Sequence, residues 1–368
     1  MICIARARRI DTMITIGCGD LVKNRLLPSQ CQLAEEGILL RSGYLDVSAA
    51  CPIRPDGRLR AASAYFRVRP GSRLPLADLE AGRWLGPYVL AYVATPTVFH
   101  MPYVRQLLGT ACRIAVEKPL TDHPAEAEDL LNFPTGTVFP VGHQLFKRAM
   151  LDFLETYRPG DVLGASAIEF DLMETKGIGN REIDDAVWDL GWHGFEVMRA
   201  AYRAAGAEVR MCPTDVRIAT YKSPVGGPAP GRFTAARIEG FLEAMGRVVP
   251  FVIRVGKGLG QTSKRLMFLD ARGRTRQEVP MGESGWEAHY RLLLELMTAP
   301  QPDLRLGLAE TLDLARACQA AAALATDEGS YAFGTTPAFL LTPSSLALSV
   351  CPRGCCLTTS HVIGRDEM

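Results

Sequence analysis

Charge imbalance is absent from this chain: 41 Lys and Arg face 40 Asp and Glu, for a formal net charge of +1. Without a basic excess or a polybasic run, it carries neither the field of a nucleic-acid binder nor a patch that would hold it to an anionic membrane. No unbroken apolar run reaches the ~20 residues of a membrane-spanning helix, and residues 1–9 lack the apolar core of a secretory signal. The ten cysteines, Cys3, Cys18, Cys31, Cys51, Cys112, Cys212, Cys318, Cys351, Cys355 and Cys356, include no C-x-x-C pair. That spacing would mark a zinc or redox site, so reduced thiols in a cytoplasmic protein are expected. His123 and His361 have no acidic or cysteine neighbours at metal-ligand spacing, and no metal is expected. There is no internal repeat.

What is present is the composition of a globular protein, 48% hydrophobic and 22% charged, in 368 residues, enough for two domains with a core each. The first strand signal opens at Met13 and breaks on Gly17 and Gly19, which makes residues 1–12 an appended arm. Strand signals at 45–51, 88–94, 113–117 and 137–142, with helix-compatible stretches at 99–108 and 124–131, alternate as in a parallel, doubly wound sheet. Beyond residue 143 the grammar changes. Residues 164–174, 209–221, 234–242, 250–255 and 264–270 read as longer strands of a largely antiparallel sheet. Helical periodicity at 144–157, 186–205, 286–299 and 308–325 supplies the cover, and a Pro/Gly-rich loop at 223–231 is placed to shape a pocket. The expected fold is therefore α/β: an N-terminal Rossmann domain over 13–143 and a C-terminal α+β domain with an open, mainly antiparallel sheet over 144–333. A poorly ordered tail, 334–368, follows.

Gly17, Cys18 and Gly19 lie between a strand and a helix, where glycine permits a tight turn and backbone N–H groups can approach a pyrophosphate. The third glycine of the usual fingerprint is missing, since Asp20, Leu21, Val22 and Lys23 follow, so the turn alone fits an ordinary βα corner equally well. No Asp or Glu occupies 49–54 at the expected end of the second strand, and Arg54 stands just beyond it. An arginine without a carboxylate favours the 2′-phosphate of NADP; the alternative is that Asp56 folds back to the ribose and gives an NAD site.

Ala94, Thr95 and Pro96, with His100 nearby, and Glu117, Lys118 and Pro119 stand at the carboxyl ends of parallel strands, where open α/β sheets bind ligands. A lysine there can stabilise a developing alkoxide. On a regular helix Asp185, Asp189 and His193 share one face and Trp188, Trp192 and Phe195 another. The polar face would present His193, with Asp189 fixing its tautomer. His143 and Lys147, one turn apart at a helix start, could hold an anion such as phosphate, or form a solvated face.

The glycine turn, the Ala-Thr-Pro strand end with its histidine and the Glu-Lys-Pro strand end together resemble the glucose-fructose oxidoreductase/inositol dehydrogenase family, Gfo/Idh/MocA, over roughly residues 13–330. Residues 189–193 are similar to its D-x-G-x-H segment. The spacing of His143 and Lys147 is similar to the substrate-phosphate segment of glucose-6-phosphate dehydrogenases, and residues 289–295 resemble a helix of those enzymes. The resemblance implies an NAD(P)-dependent oxidoreductase that passes a hydride between a nicotinamide and an alcohol or ketone carbon of a sugar, sugar phosphate, nucleotide sugar or cyclitol. It implies catalytic roles for Lys118, His193 and Asp189 and substrate contacts from His143, Lys147 and Asp185. Contacts to NADP or NAD are implied for Gly17, Cys18, Gly19, Asp20, Arg54, Ala94, Thr95, Pro96, His100, Glu117 and Lys118. It also implies a homodimer or homotetramer through the C-terminal sheet, whose second face would need cover. The rival readings are an imine or double-bond reductase on the same scaffold and a non-catalytic nucleotide-binding regulator.

Overall fold

The computed structural model describes residues 10–48, 53–69, 73–134, 136–176, 185–222 and 233–342, and all of its strands fall into two sheets. The first is parallel. Its strands β1 (Thr12–Ile16), β2 (Arg41–Asp46), β3 (Ser63–Arg67), β4 (Val89–Val93), β5 (Arg113–Val116) and β6 (Val138–Pro140) lie in the order β3-β2-β1-β4-β5-β6. Helices α1 (Leu27–Glu35), α2 (Gly57–Ala61), α3 (Leu76–Ala81) and α4 (His100–Leu107) connect them. β1 and β4 are buried along their whole length, as central strands covered on both faces must be, and their sequences are nearly uninterrupted apolar runs for that reason. Strand order reverses between β1 and β4, so a crevice opens beyond their carboxyl ends.

After α5 (Arg148–Thr156) and α6 (Pro159–Leu163) comes the second sheet. It contains β7 (Ala167–Met173), β8 (Val209–Lys222), β9 (Ala235–Ala244), β10 (Arg247–Gly256), β11 (Ser263–Leu269), β12 (Thr275–Pro280) and β13 (Ala325–Ala332). The order is β12-β11-β7-β10-β9-β8-β13, antiparallel except for β7 beside β10 and β8 beside β13. Helices α7 (Trp192–Ala204) and α9 (Leu308–Ala323) pack on it, while α8 (Gly285–Thr298) lies against α1. One continuous apolar cluster joins Tyr44, Leu90 and Tyr92 of the first sheet to Phe170, Ile253 and Phe268 of the second.

The sheet's other face is not apolar. Alternation sets Arg217, Arg237, Arg254, Asp171 and Arg265 side by side across five strands. Asp171 takes Arg254 at 2.7 Å and Arg265 at 3.1 Å, and Glu239 takes Arg237. Part of this face is covered by the chain itself: α10 (Ala338–Leu341) buries Phe339 and Leu340 beside Met173, Ala219 and Ala235, and Arg237 donates to Thr342 O at 2.7 Å. Residues 334–342, expected to begin the loose tail, therefore dock; 343–368 and the loop 223–231 lie outside the described residues.

Sequence periodicity missed β3, β12 and β13, and all three are edge strands. Edges need no continuous apolar face, and β13 is exposed over most of its length. The second strand was expected at 45–51 but runs from Arg41 to Asp46. Its Gly43 carries no strand signal, yet a Cβ there would stand 3.1 Å from the Trp84 ring, so packing selects glycine.

Candidate active site

β1 delivers Gly17 at φ +89°, and a Cβ there would come within 2.8 Å of Ala94 O, so both conformation and space demand glycine. Gly17 N–H donates to Leu45 O (2.8 Å) and Cys18 N–H to Asp46 Oδ2 (2.7 Å), folding the turn onto the end of β2. A Cβ on Gly19 would meet nothing within 4 Å, which leaves open space above the helix start, where Asp20 is exposed. Thr95, whose methyl lies beside Gly17, has a buried Oγ1 without a hydrogen-bond partner. An open second glycine, an orphaned buried hydroxyl and a carboxylate at the end of β2 fit a dinucleotide.

That carboxylate, Asp46, corrects the sequence reading. With the strand placed too late, Asp46 fell inside it and Arg54 appeared to stand at its end. Arg54 and Asp56 are both exposed in the segment leading into α2, so the argument for a 2′-phosphate loses its premise. His100 is also corrected: its Nδ1 and Nε2 each lie 2.8 Å from a backbone carbonyl, of Pro119 and Thr95, so the ring ties two strand-end loops together and leaves no nitrogen for a cofactor.

Beyond β5, Lys118 Nζ donates to Asp189 O (2.6 Å) and to the Asp189 carboxylate. Burial raises the Asp189 carboxyl, but the Lys118 ammonium, helped by the charges of Lys257 and Arg25, outweighs it and holds the carboxyl below its usual range. Asp189 was expected to orient His193 and does not. Residues Val187–Gly191 form a π-helical turn ahead of α7, and this wider turn breaks the four-residue register that would have stacked Asp185, Asp189 and His193 on one face. Asp185 instead caps the turn, its Oδ1 accepting from Val187 N–H at 2.8 Å. The partner of His193 is Glu196, with Oε2 3.3 Å from Nδ1 and both side chains buried. Burial, then the charges of Lys118, Lys147, Arg25 and Lys257, push His193 well below the ordinary histidine range. Burial drives Glu196 the other way, up to about 8.

Glu117 is buried too, yet stays ionised. Tyr92 donates to its Oε1 at 2.6 Å, His289 Nε2 lies 3.2 Å from the same oxygen, and Lys118 N–H donates to Oε2. Burial opposes them, but these partners hold the carboxyl at about 2. His143 is no surface residue: its ring stacks on His289 at 4.8 Å and meets His193 edge-on at 4.9 Å, and Arg25 donates to its Nε2 at 3.2 Å. Donor atoms of Glu117, His143 and His289 lie within 4.8 Å of one another, close enough to share a metal. Stacked rings direct their in-plane lone pairs into separate planes, however, and the charges of Arg25 and Lys147 already act on His143. The set suits a hydrogen-bonded network better than a cation.

Lys147 is buried, donates to Met281 O, and is held down to about 8 by burial and by the nearby charges of Lys264 and Arg25. Lys257 and Lys264, at the facing ends of β10 and β11, both bind Glu174, whose carboxyl they hold at about 2 against burial. Sequence reasoning missed Arg25, Glu174, Glu196, Lys257, Lys264 and Asp46. Only Glu196 left a local signal, three residues after His193 on one helix; Glu174, Lys257 and Lys264 meet through strand pairing, and Arg25 reaches His143 from the helical segment Val22–Leu26, neither of which spacing encodes.

Residues 86–135 match the model of an oxidoreductase family, GFO_IDH_MocA, with an NAD-binding Rossmann fold. No match was found among curated protein sequences. Among solved structures, glucose-6-phosphate 1-dehydrogenase from Mycobacterium avium is similar at TM-score 0.64 and 15% identity, covering 89% of this chain and 95% of that one. UDP-N-acetylglucosamine 3-dehydrogenase GnnA from Acidithiobacillus ferrooxidans is similar at TM-score 0.60 and 15% identity, over 85% of this chain and 97% of the other. A variant of KijD10, a 3-ketoreductase from Actinomadura kijaniata solved with TDP-benzene and NADP, gives 0.57 and 15%, over 86% and 98%. At such identities the neighbours speak for the fold. Residues 86–135 are thus similar to the NAD-binding Rossmann segment of the Gfo/Idh/MocA oxidoreductases, and they lie in a two-sheet fold like that of these neighbours.

Proposed function

We propose that the protein is a nicotinamide-dependent dehydrogenase that oxidises a secondary hydroxyl of a phosphorylated sugar, with His193 as general base. The observation that carries this reading is the cationic surround of a neutral histidine. Lys118, Lys147, Arg25 and Lys257 all act on His193, and Lys264 acts on Lys147. A buried imidazole in such a field resists becoming imidazolium and offers a lone pair, while the ammonium groups suit a multiply charged anion. Two glucose-6-phosphate dehydrogenases, at TM-scores 0.64 and 0.61, support a sugar phosphate over a free sugar.

The cofactor supplies the hydride acceptor. Gly17 and Gly19 leave room for its pyrophosphate, Thr95 offers it a hydroxyl, and Asp46 accepts from an adenosine ribose hydroxyl, which favours NAD over NADP. Lys118, anchored by Asp189, stabilises the negative charge that grows on the substrate oxygen. Catalysis draws on residues of both sheets' units, so the chain is better suited to chemistry than to nucleotide sensing alone. A second copy on this sheet would meet a face whose arginines already pair with acids of their own chain, Arg217 with Asp215, Arg237 with Glu239 and Arg254 with Glu169 and Asp171, so it would add packing and not new ion pairs.

A thermal-shift panel of NAD, NADP, hexose phosphates and the matching free sugars tests the reading. Ligand at a hundredfold its dissociation constant adds about 2.7 kcal/mol, so NAD and at least one hexose phosphate should raise the melting temperature and free sugars should not. Equal shifts with phosphorylated and free sugars would contradict it.

A further inference from the structure

We infer that Glu196 is the positioning partner and terminal proton acceptor of His193, so that the proton taken from a substrate hydroxyl crosses the imidazole instead of resting on it. This rests on the dehydrogenase reading above. The geometry is specific. Glu196 Oε2 faces His193 Nδ1 at 3.3 Å, three residues on along the same helix, and both side chains are sealed from solvent. Its other oxygen fills the space beside Gly142: a Cβ there would collide with Oε1. The loop after β6 thus provides, by lacking a side chain, the slot in which the carboxyl lies.

An imidazolium at this place is disfavoured by burial and by the charges of Lys118, Lys147, Arg25 and Lys257. Around Glu196 the charged and titratable groups are His193 on its own helix, Lys118 and Glu117 at the end of β5, and Cys318 of α9. Lys118 and the Trp192 indole favour the carboxylate and Glu117 opposes it; burial dominates and sets the carboxyl near 8. In its ionised form Glu196 accepts Nδ1–H and leaves Nε2 as a base. In its protonated form it donates to Nδ1 and leaves Nε2–H as an acid. During oxidation the substrate O–H breaks and its proton passes to Nε2, while Nδ1–H passes to the Glu196 carboxylate. The C–H bond delivers its electron pair as hydride to the oxidised nicotinamide, and the carbonyl forms. Imidazole begins and ends neutral, and one proton is left on Glu196. Carbonyl reduction runs the same path backwards.

The test that needs no substrate is the imidazole 15N spectrum of histidine-labelled protein, with His193 assigned from His193→Asn. In wild type His193 should change from the Nε2–H to the Nδ1–H tautomer as pH rises through about 8, while remaining neutral. In Glu196→Gln the tautomer should not change with pH. Persistence of the change in Glu196→Gln, or its absence in wild type, overturns the inference whatever the substrate proves to be. With a turned-over hexose phosphate and NAD, wild-type oxidation should rise across the same pH range. Glu196→Gln should lose that rise and about tenfold or more in kcat at little cost in KM, and Glu196→Asp should recover part of it. A tautomer change without turnover on any sugar phosphate would sink the dehydrogenase reading and leave the Glu196–His193 pair standing.

Discussion

Two buried glutamates flank the crevice, one at the end of a Rossmann strand and one on the helix of the second unit, and they are driven in opposite directions. Glu117 is held at about 2 and Glu196 is pushed to about 8. Burial acts on both; partners make the difference. Glu117 has the Tyr92 hydroxyl, His289 and the Lys118 backbone N–H, whereas Glu196 has a histidine at 3.3 Å, and the Trp192 indole and the Lys118 charge together lower it less than burial raises it. A fully satisfied carboxylate is structural, fixing the strand end and α8 to each other; an undersatisfied one can exchange a proton near neutral pH.

The largest effect expected from this contrast is at Glu196. Its raised pKa stabilises the fold fully below about pH 4.5, and that stability is lost as pH rises through about 8. Relative to Glu196→Gln, wild type should lose on the order of 5 kcal/mol between those limits in urea unfolding. A difference independent of pH would show that the carboxyl is not protonated in the fold. At Glu117 the sign reverses: its depressed pKa gives stability present above about 4.5 and lost as pH falls toward about 2. Wild type should exceed Glu117→Gln by about 3 kcal/mol at neutral pH, with the gap closing in acid. A constant gap would mean that lost packing, not charge, explains it. Next, Gly142→Ala should cost about 1–3 kcal/mol by overpacking. Its backbone φ of −119° accepts any residue, so the strain would come from side-chain contacts, chiefly with the Glu196 carboxyl and next with Leu145 Cδ1 at 3.3 Å. A Glu196→Ala background, which empties the slot, should recover most of that cost, and a neutral Gly142→Ala in the wild-type background would show that the slot is not filled. The smallest effect is at the cofactor: Asp46→Asn should weaken NAD about tenfold while sparing NADP. Arg54→Ala should leave both dissociation constants unchanged, and a selective loss of NADP there would restore Arg54 to the site.

The parallel sheet and the second sheet could be read in the sequence, because central strands and helix faces are local patterns, and the fold sets Lys118, Asp189 and His193, expected from the resemblance, near one another. What could not be read depends on distance along the chain or on broken periodicity. The π turn at Val187–Gly191 left no mark that spacing could detect, so the partner of His193 was misassigned. β2 was shifted because its buried Ser42 and Gly43 do not look like a core strand, and the shift concealed Asp46. Lys257, Lys264 and Glu174 meet because β7 lies between β10 and β11, an order that neighbouring segments do not announce.

In the proposed reaction His193 would remove the proton of a phosphorylated sugar's hydroxyl while a bound nicotinamide would take the hydride. The direct measurement is formation of reduced nicotinamide by wild type and His193→Asn on hexose phosphates and on the same sugars without phosphate. Turnover is expected with at least one phosphate ester, none comparable with the free sugar, and a rate in His193→Asn lower by about a hundredfold or more. A His193→Asn rate within about threefold of wild type, far short of the loss a general base should bring, would contradict it, as would oxidation indifferent to the phosphate.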